Sequence, residues 1–472
     1  MVASVIDRSI ARLSKILVDS TQVTFEEAQA YLRTLTLEVV VGLGATTPAA
    51  HAAALTAVSV GSRTFVGGVR LVGITEQRLN SALPIKGTTL AEAAVEVGAS
   101  SFSGSPSRRI LIGTDPMPTD ENQAVSPWWH GWRAGTTTPE NSIYDDGDNP
   151  LAGIAAGALA VGAAFEYMRD RHSRPLIEID LWPVGPEGET PRFGEVFLPG
   201  ALWLVGLGNL GQAFLWALGA LPYGNPAEVS LVLQDYDKVT EENWATSILV
   251  NEKTYGMLKT KVSEEWAVAK GFDVRRVDRR LLAGDRLDHD DPRVALCGVD
   301  KVESRKLMAN TGFDCIIDTG LGRKASDCDR YRVTVFDQVR RIDKHFAGQS
   351  DASPDDAILD NNAYQNLQKE VGRCGTAEIA GASVAIPYVS AVAAVVAISR
   401  VISIVSGRPC RINEVRKLSE VKPRAGTFDS IRARGIRHAG QPVSPTERDT
   451  RGKSRFTSQR GYLDGTDRGE VG

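Results

Sequence analysis

Gly206-Leu-Gly208-Asn-Leu-Gly211 is the stretch whose residue types and spacing most directly suggest chemistry. It follows the start of the apolar segment Ala201–Leu221 and opens an Ala/Leu-rich helical pattern. Glycines spaced this way let a chain turn tightly out of a strand and let its backbone approach a phosphate. The helix that follows offers unpaired N–H groups and the positive end of its dipole to that phosphate. Asp235 lies near the end of the next apolar run, Glu228–Asp237, 24 residues after Gly211. An acid there can accept from both hydroxyls of a ribose. The expectation is a nucleotide with a free ribose. A strand–helix turn with no ligand would use the same glycines. An ordered set of polar residues follows: Asp237, Glu242-Asn243, Gly256-Met-Leu-Lys259, then Cys297-Gly-Val-Asp300 with Arg305 beyond it.

These residues need strands and helices to hold them. A helical pattern at Tyr255–Gly271 precedes strand-like Val274–Leu281 and Val294–Val299, and another at Lys301–Thr311 precedes strand-like Cys315–Gly320 and Tyr331–Val339. Asp351–Arg373 is polar and reads as a loop with a short helix. Alternation of this kind predicts an α/β fold with a doubly wound, mostly parallel sheet. The first half echoes the second. Leu37–Val58 has an apolar run, Gly42-Leu-Gly44 and an Ala-rich helical pattern, and the apolar run Gly67–Ile74 follows. Two long apolar helices, from Asn149 and from Ile386, each carry Pro at the second position, which suits a helix's first turn. The same features in the same order predict a duplicated fold.

With 472 residues there is room for two to four domains. Hydrophobic residues make up 42% and charged residues 24%, which excludes wholesale disorder, a fibre or a disulfide-stapled miniprotein. A net charge of −4 gives no electrostatic case for nucleic acid as the main partner. The five cysteines, at 297, 315, 328, 374 and 410, contain no CxxC pair, so no structural zinc is expected; a sparse odd set fits a reducing cytoplasm. The N-terminal twenty residues lack a signal-peptide pattern. Pro150–Met168 and Val384–Val405 are long enough to span a membrane, but Ala and Gly in the first, and Pro387, three serines and Arg400 in the second, favour buried core helices. Lys422–Gly472 is rich in Arg, Gly, Ser, Thr and Asp and is expected to form a flexible tail.

From Gly206 to Arg305 the ordered motifs resemble the ThiF/MoeB family, the ATP-dependent activating enzymes for ubiquitin-like proteins. That family runs a GxGxxG loop, DxDxVxxxN, a Gly-x-x-Lys, and a strand ending in Asp with an Arg beyond it. The resemblance covers roughly Leu202–Gly407, with a fainter echo in Leu37–Met168. It implies a Rossmann-like adenylation fold present twice. Residues 1–195 would be a degenerate, inactive copy, 196–421 the active domain and 422–472 the tail. It implies ATP and Mg²⁺ as cofactors. Gly206, Gly208 and Gly211 would form the nucleotide loop and Asp235 would hold the ribose. Asn243 and Lys259 would sit at the phosphates, and Asp300 would hold the metal. Attack of a carboxylate on the α-phosphorus brings anions together, so a cation clamp suits the chemistry.

The sequence departs from the family in two places. The family's Arg three residues beyond the Asn is Thr246 here, and Thr cannot contact phosphate as a cation. The family also takes an arginine from the partner half near its N-terminus, and Arg8 and Arg12 are the candidates. The first half keeps Gly42 and Gly44 but has Ala45-Thr-Thr-Pro48 in place of a third glycine, and lacks the DxD, so it is expected not to bind ATP. An active half fused to an inactive one resembles the ubiquitin-activating enzymes. The implied partners are a ubiquitin-like protein ending in Gly and a transfer enzyme, with no nucleic acid or membrane; the chain would be a pseudo-dimer, with a homodimer open. A thioester, if formed, is expected at Cys374 in the Gly372-Arg-Cys374-Gly stretch, where Arg373 favours a thiolate and Gly375 its access. Cys297 and Cys315 should be buried, and Cys328 would be next in line by exposure. Pro127–Trp132 is core or interface, or else a peptide-binding patch. A sulfur-carrier adenylyltransferase, a nicotinamide-dependent oxidoreductase and a non-catalytic scaffold remain the alternatives.

Overall fold

A computed structural model describes the chain except residues 1–5, 22, 116–122, 142–146, 171–176, 185–187, 351–361, 382, 385, 421–426, 432–435 and 444–472. Two helices open it. α1 (Ala11–Ser20) buries Leu13, Ile16, Leu17 and Val18, and α2 (Phe25–Thr34) starts at a capping box between Thr24 and Glu27. The first sheet contains β1 (Thr36–Val41), β2 (Gly68–Gly73), β3 (Arg108–Ile112), β4 (Ala124–His130), β5 (Arg133–Thr137) and β6 (Glu178–Asp180). Its helices are α3 (Pro48–Gly61), α4 (Leu90–Glu96) and α5 (Pro150–Arg169). The second sheet contains β7 (Ala201–Val205), β8 (Ser230–Gln234), β9 (Asp273–Val277), β10 (Val294–Cys297), β11 (Cys315–Leu321), β12 (Arg330–Asp337) and β14 (Asn413–Lys417), the last just after the short strand β13 (Cys410–Arg411). Its helices are α6 (Asn209–Ala220), α7 (Lys259–Lys270), α8 (Val302–Leu307), α9 (Ile342–His345) and two longer ones, Asn362–Gly381 and Pro387–Val405.

The duplication is visible in strand order and direction. The first sheet runs β2-β1-β3-β4-β5-β6 and the second β8-β7-β10-β11-β12-β14, with β9 added beyond β8. In each, the first four strands are parallel and the last two antiparallel. The fold is α/β and Rossmann-like, built twice. Pro48, Pro150 and Pro387 each open a helix, where the missing N–H costs nothing.

The two long apolar helices are buried over most of their length, packing together with α3 and α6 between the sheets. Buried polar contacts also join the halves. The Arg63 guanidinium, from the turn after α3, donates to the carbonyls of Ser247 (3.2 Å), Ile248 (2.8 Å) and Val250 (2.9 Å). Trp216 Nε1 donates to Thr56 Oγ1 at 3.0 Å, and Lys270 reaches the Ala82 carbonyl. Trp129 and Trp132 of the Pro127–Trp132 cluster are core residues; Trp132 lies 4.7 Å from Trp182, centroid to centroid.

Two expectations are corrected. Asn362–Gly381 is a 20-residue helix, where a loop with a short helix was expected. Its sequence is polar because only one face is apolar: Tyr364 and Leu367 are buried, and the Tyr364 hydroxyl is hydrogen-bonded to Lys15 and Asp19 of α1. The tail expected to be flexible is in place at 436–443. Gly200 N–H donates to the Arg437 carbonyl and Val443 N–H to the Pro222 carbonyl, with Ala439 and Val443 buried. Backbone pairing, which composition does not reveal, holds it. Residues 444–472 lie outside the described residues.

Candidate active site

A cleft of about 840 Å³ opens at the C-terminal ends of β7, β8, β10 and β11. This is where an open α/β sheet places its ligands. Gly206 leaves β7 at φ +86°, a conformation that favours glycine. A Cβ on Gly211 would lie far inside contact distance of the Gly206 carbonyl oxygen, so α6 can approach the loop only with glycine there. A Cβ on Gly208, by contrast, would meet no atom within 4 Å. Gly208 therefore faces open cleft beside the N-terminus of α6.

Asp235, one residue past β8, ties this loop down. Its Oδ2 accepts from Leu207 N–H at 2.6 Å, and its Oδ1 from Tyr236 N–H (2.7 Å) and Asp237 N–H (2.9 Å). At the cleft wall the Arg280 guanidinium lies 4.0 Å over the Tyr236 ring. Asn243 ends a 3₁₀ turn, and its Oδ1 caps the Thr240 N–H at 3.0 Å. Lys259 opens α7, and its Nζ is 3.0 Å from Asp237 Oδ2. Asp300 is exposed three residues past β10. Gly206, Gly208, Asp235, Asn243, Lys259 and Asp300 all line the one cleft, and Gly211 sits immediately behind it.

Thr246 is buried against the Asn243 carbonyl and also lines the cleft. Of the two N-terminal arginines, Arg12 on α1 lines the cleft, while Arg8 pairs with Glu242 at 2.9 Å and does not. The lining holds ten Lys and Arg side chains against four Asp, although the whole chain is net negative. So concentrated a positive field suits a polyanion. Arg323, Lys324, Arg330 and Arg332 belong to this set and escaped the sequence reading, because no spacing rule links the β11–β12 hairpin to the glycine loop. Among the described residues no group of three His, Cys, Asp or Glu could hold a metal.

The first half's equivalent loop is filled by its own backbone. Gly44 N–H donates to the Gly113 carbonyl at 2.9 Å and Gly42 N–H to the Ile112 carbonyl at 2.8 Å. A Cβ on Gly42 would collide with Gly113.

Four cysteines are buried. Burial pushes the Cys297 and Cys328 thiols up to about 12 and the Cys410 thiol up to about 11, and raises Cys315 as well. Cys328, expected to be exposed, is closed in by Arg169, whose Nη1 is 3.5 Å from its Sγ. Cys374 lies within the helix Asn362–Gly381, not in a loop as expected; its side chain is outside the described residues.

Comparison with known proteins supplies the family. The family model of the BilD N-terminal domain matches residues 36–175, and that of the BilD C-terminal domain matches 198–408. The chain is 32% identical over 407 residues to the bacterial E1-like protein BilD of Collimonas sp. (strain OK412), covering 84% of this chain and 88% of the relative. Among solved structures, E. coli MccB with succinimide is 12% identical, with 67% of this chain and 98% of that one covered and a TM-score of 0.31. E. coli MccB with ATP is 13% identical, with 66% and 96% covered and the same TM-score. Matched along both halves by the two BilD domain families and along most of its length by a curated relative, the chain belongs to the bacterial E1-like BilD family.

Proposed function

We propose that this protein uses ATP to adenylate the C-terminal carboxylate of a small ubiquitin-like protein. The observation that carries this reading is the convergence of the glycine loop, Asp235, Asn243, Lys259 and Asp300 on one cation-lined cleft. The open space at Gly208 fits a phosphate against the loop and the α6 N-terminus. Asp235 Oδ2, which accepts one loop N–H, keeps a lone pair for a ribose hydroxyl. Lys259, Asn243 and Arg12 would hold the phosphate chain; Arg12 would serve in place of the cation missing at Thr246. Mg²⁺, when bound, neutralises phosphate charge. Asp300, on the cleft lining, would hold it.

A carboxylate oxygen of the incoming tail attacks the α-phosphorus, the bond to the bridging oxygen of the β-phosphate breaks, and pyrophosphate leaves. The protein's part is alignment and charge neutralisation. A thiolate at Cys374 then attacks the acyl carbon of the mixed anhydride and AMP departs, leaving a thioester. The four buried thiols are unsuited to this step, because they hold their protons at neutral pH. In this reading the protein is a cytoplasmic pseudo-dimer that hands its cargo to a transfer enzyme in a bacterial conjugation pathway, with antiviral defence as its setting.

The test is ATP–pyrophosphate exchange with a small ubiquitin-like protein ending in Gly and encoded beside this gene. Exchange that needs the terminal Gly supports the reading; its absence with a folded partner that binds this chain refutes it. Cys374→Ala should keep exchange and lose the reductant-sensitive adduct. Adenylate without any adduct in the wild type would place the protein with sulfur-carrier adenylyltransferases.

A further inference from the structure

The end of the cleft remote from the glycine loop carries a second anion-binding arrangement. Asp318 on β11 is fully buried, and its two oxygens accept from Arg305 Nε (2.8 Å) and from Arg332 Nη2. Among the described residues Asp318 is the carboxylate ion-paired with both guanidiniums, and Asp300 acts on Arg305 only from a distance, so the pair keeps a positive excess. His345 Nε2 lies 3.2 Å from Arg332 Nη1. Burial, and then the adjacent Arg332 charge, hold the imidazole below its ordinary pKa, so it is neutral at pH 7 and accepts from Arg332. The Phe346 ring is 5.5 Å from the Arg305 guanidinium and 5.1 Å from that of Arg332. Both guanidiniums are therefore fixed in place.

Their open side is at Gly320. A Cβ there would lie 3.5 Å from Arg332 Nη2 and 3.6 Å from Arg305 Nη2, at ordinary contact distance. The absent side chain leaves a notch with two guanidiniums for walls, opening into the cleft. Along the sheet's C-terminal edge the order is β8, β7, β10, β11, carrying Asp235, the glycine loop, Asp300 and Gly320 in turn. Strands lie about 4.8 Å apart, so the notch is two strands, about 10 Å, from the loop. An extended peptide covers about 3.3–3.6 Å per residue. A tail with its terminal carboxylate at the nucleotide end presents the residue two or three places back to this notch.

We infer that Arg305, Arg332 and Gly320 form a subsite for an acidic side chain in the tail of the activated protein, two or three residues before its terminal Gly. The direction of the tail rests on the adenylation reading. A carboxylate supplies the counter-charge the cluster lacks and matches the fork of a guanidinium. A neutral isostere leaves that charge desolvated and unpaired, which is how such a site rejects it.

The test uses fluorescent nine-residue peptides ending in Gly-Gly, with Glu or Gln at the third or fourth position from the end. Binding to the full chain is read by anisotropy, and ATP binding is measured in parallel. A Glu peptide should bind at least tenfold more tightly than its Gln partner. Arg332→Gln and Gly320→Val should each erase that preference. Gly320→Ala, whose added carbon meets only ordinary contacts, serves if the valine variant does not fold. Equal or undetectable binding of all the peptides to the wild type, or a preference surviving in every variant, overturns the subsite. A Glu preference in a chain that binds no ATP would overturn adenylation and leave the subsite standing.

Discussion

Two glycines of the same loop should fail in opposite ways when changed to alanine. At Gly211 the added carbon overlaps the Gly206 carbonyl oxygen and lies 3.0 Å from its carbon. Both are backbone atoms of a loop held at Gly206 N–H by Gln234 and at Leu207 N–H by Asp235, so α6 must move. Overpacking of this kind costs about 1–3 kcal/mol. At about 2–4 °C per kcal/mol in domains of 150–250 residues, melting should fall by about 2–12 °C. At Gly208 the added carbon touches nothing within 4 Å. Gly208→Ala should melt like the wild type. It should still lose ATP, because the carbon stands where a phosphate approaches the backbone. Loss of one hydrogen bond to a charged group is worth about 1.5–3 kcal/mol, or roughly tenfold to a hundredfold in Kd. Scanning fluorimetry and ATP titration calorimetry separate the two variants. A Gly208→Ala protein that binds ATP with wild-type affinity would refute the placement of the phosphates on this loop.

Lys259→Ala and Asp300→Asn should each slow pyrophosphate exchange by roughly 10²–10³-fold, as expected for removal of an electrostatic stabiliser, with melting little changed. Native protein treated with iodoacetamide at pH 7.5 should be alkylated at no cysteine other than Cys374, since the other four thiols are buried and burial pushes each above the ordinary thiol range; mass spectrometry before and after unfolding checks this. Arg63→Met removes three donations to the Ser247–Val250 turn; the Ser247 carbonyl keeps the Val250 N–H, while the Ile248 and Val250 carbonyls lose the guanidinium, which should destabilise the protein by about 2–6 kcal/mol at about 1–3 kcal/mol for each buried unsatisfied group. Its exchange assay should show a raised KM for ATP, because the turn adjoins Asn243 and Thr246.

The glycine loop and Asp235 were legible because each follows a plainly apolar strand, whereas Asn243, Lys259 and Asp300 were legible only through the spaced motifs shared with the ThiF/MoeB family; all but Gly211 line one cleft. The duplication was legible for the first of these reasons: strand, Gly-Leu-Gly and Pro-headed helix recur in order. What stayed hidden depends on distance along the chain. Asp318 needs Arg305 and Arg332, 13 residues before and 14 after it, and only the antiparallel return of β12 brings the second into reach. The helix Asn362–Gly381 looked like a loop because its apolar face is narrow and is covered by α1, from the far end of the chain. Cys328 looked accessible between acidic neighbours, yet Arg169 of α5 lies against it, from the other half.

The Arg63 contact ties the first half to the turn beside the cleft of the second. In the first half the Gly44 N–H is already bonded to the Gly113 carbonyl. Yet Arg63 holds the turn next to Asn243 and Thr246. Leu249 in that turn donates to Gln212, which in turn donates to the Leu207 carbonyl of the glycine loop. Changes that disturb Arg63 are therefore expected to reach the glycine loop of the second half. Variants confined to the first sheet and its helices will behave in screens as catalytic alleles of a site they never touch, and second-site suppressors of them belong around Gln212 and the Ser247–Val250 turn.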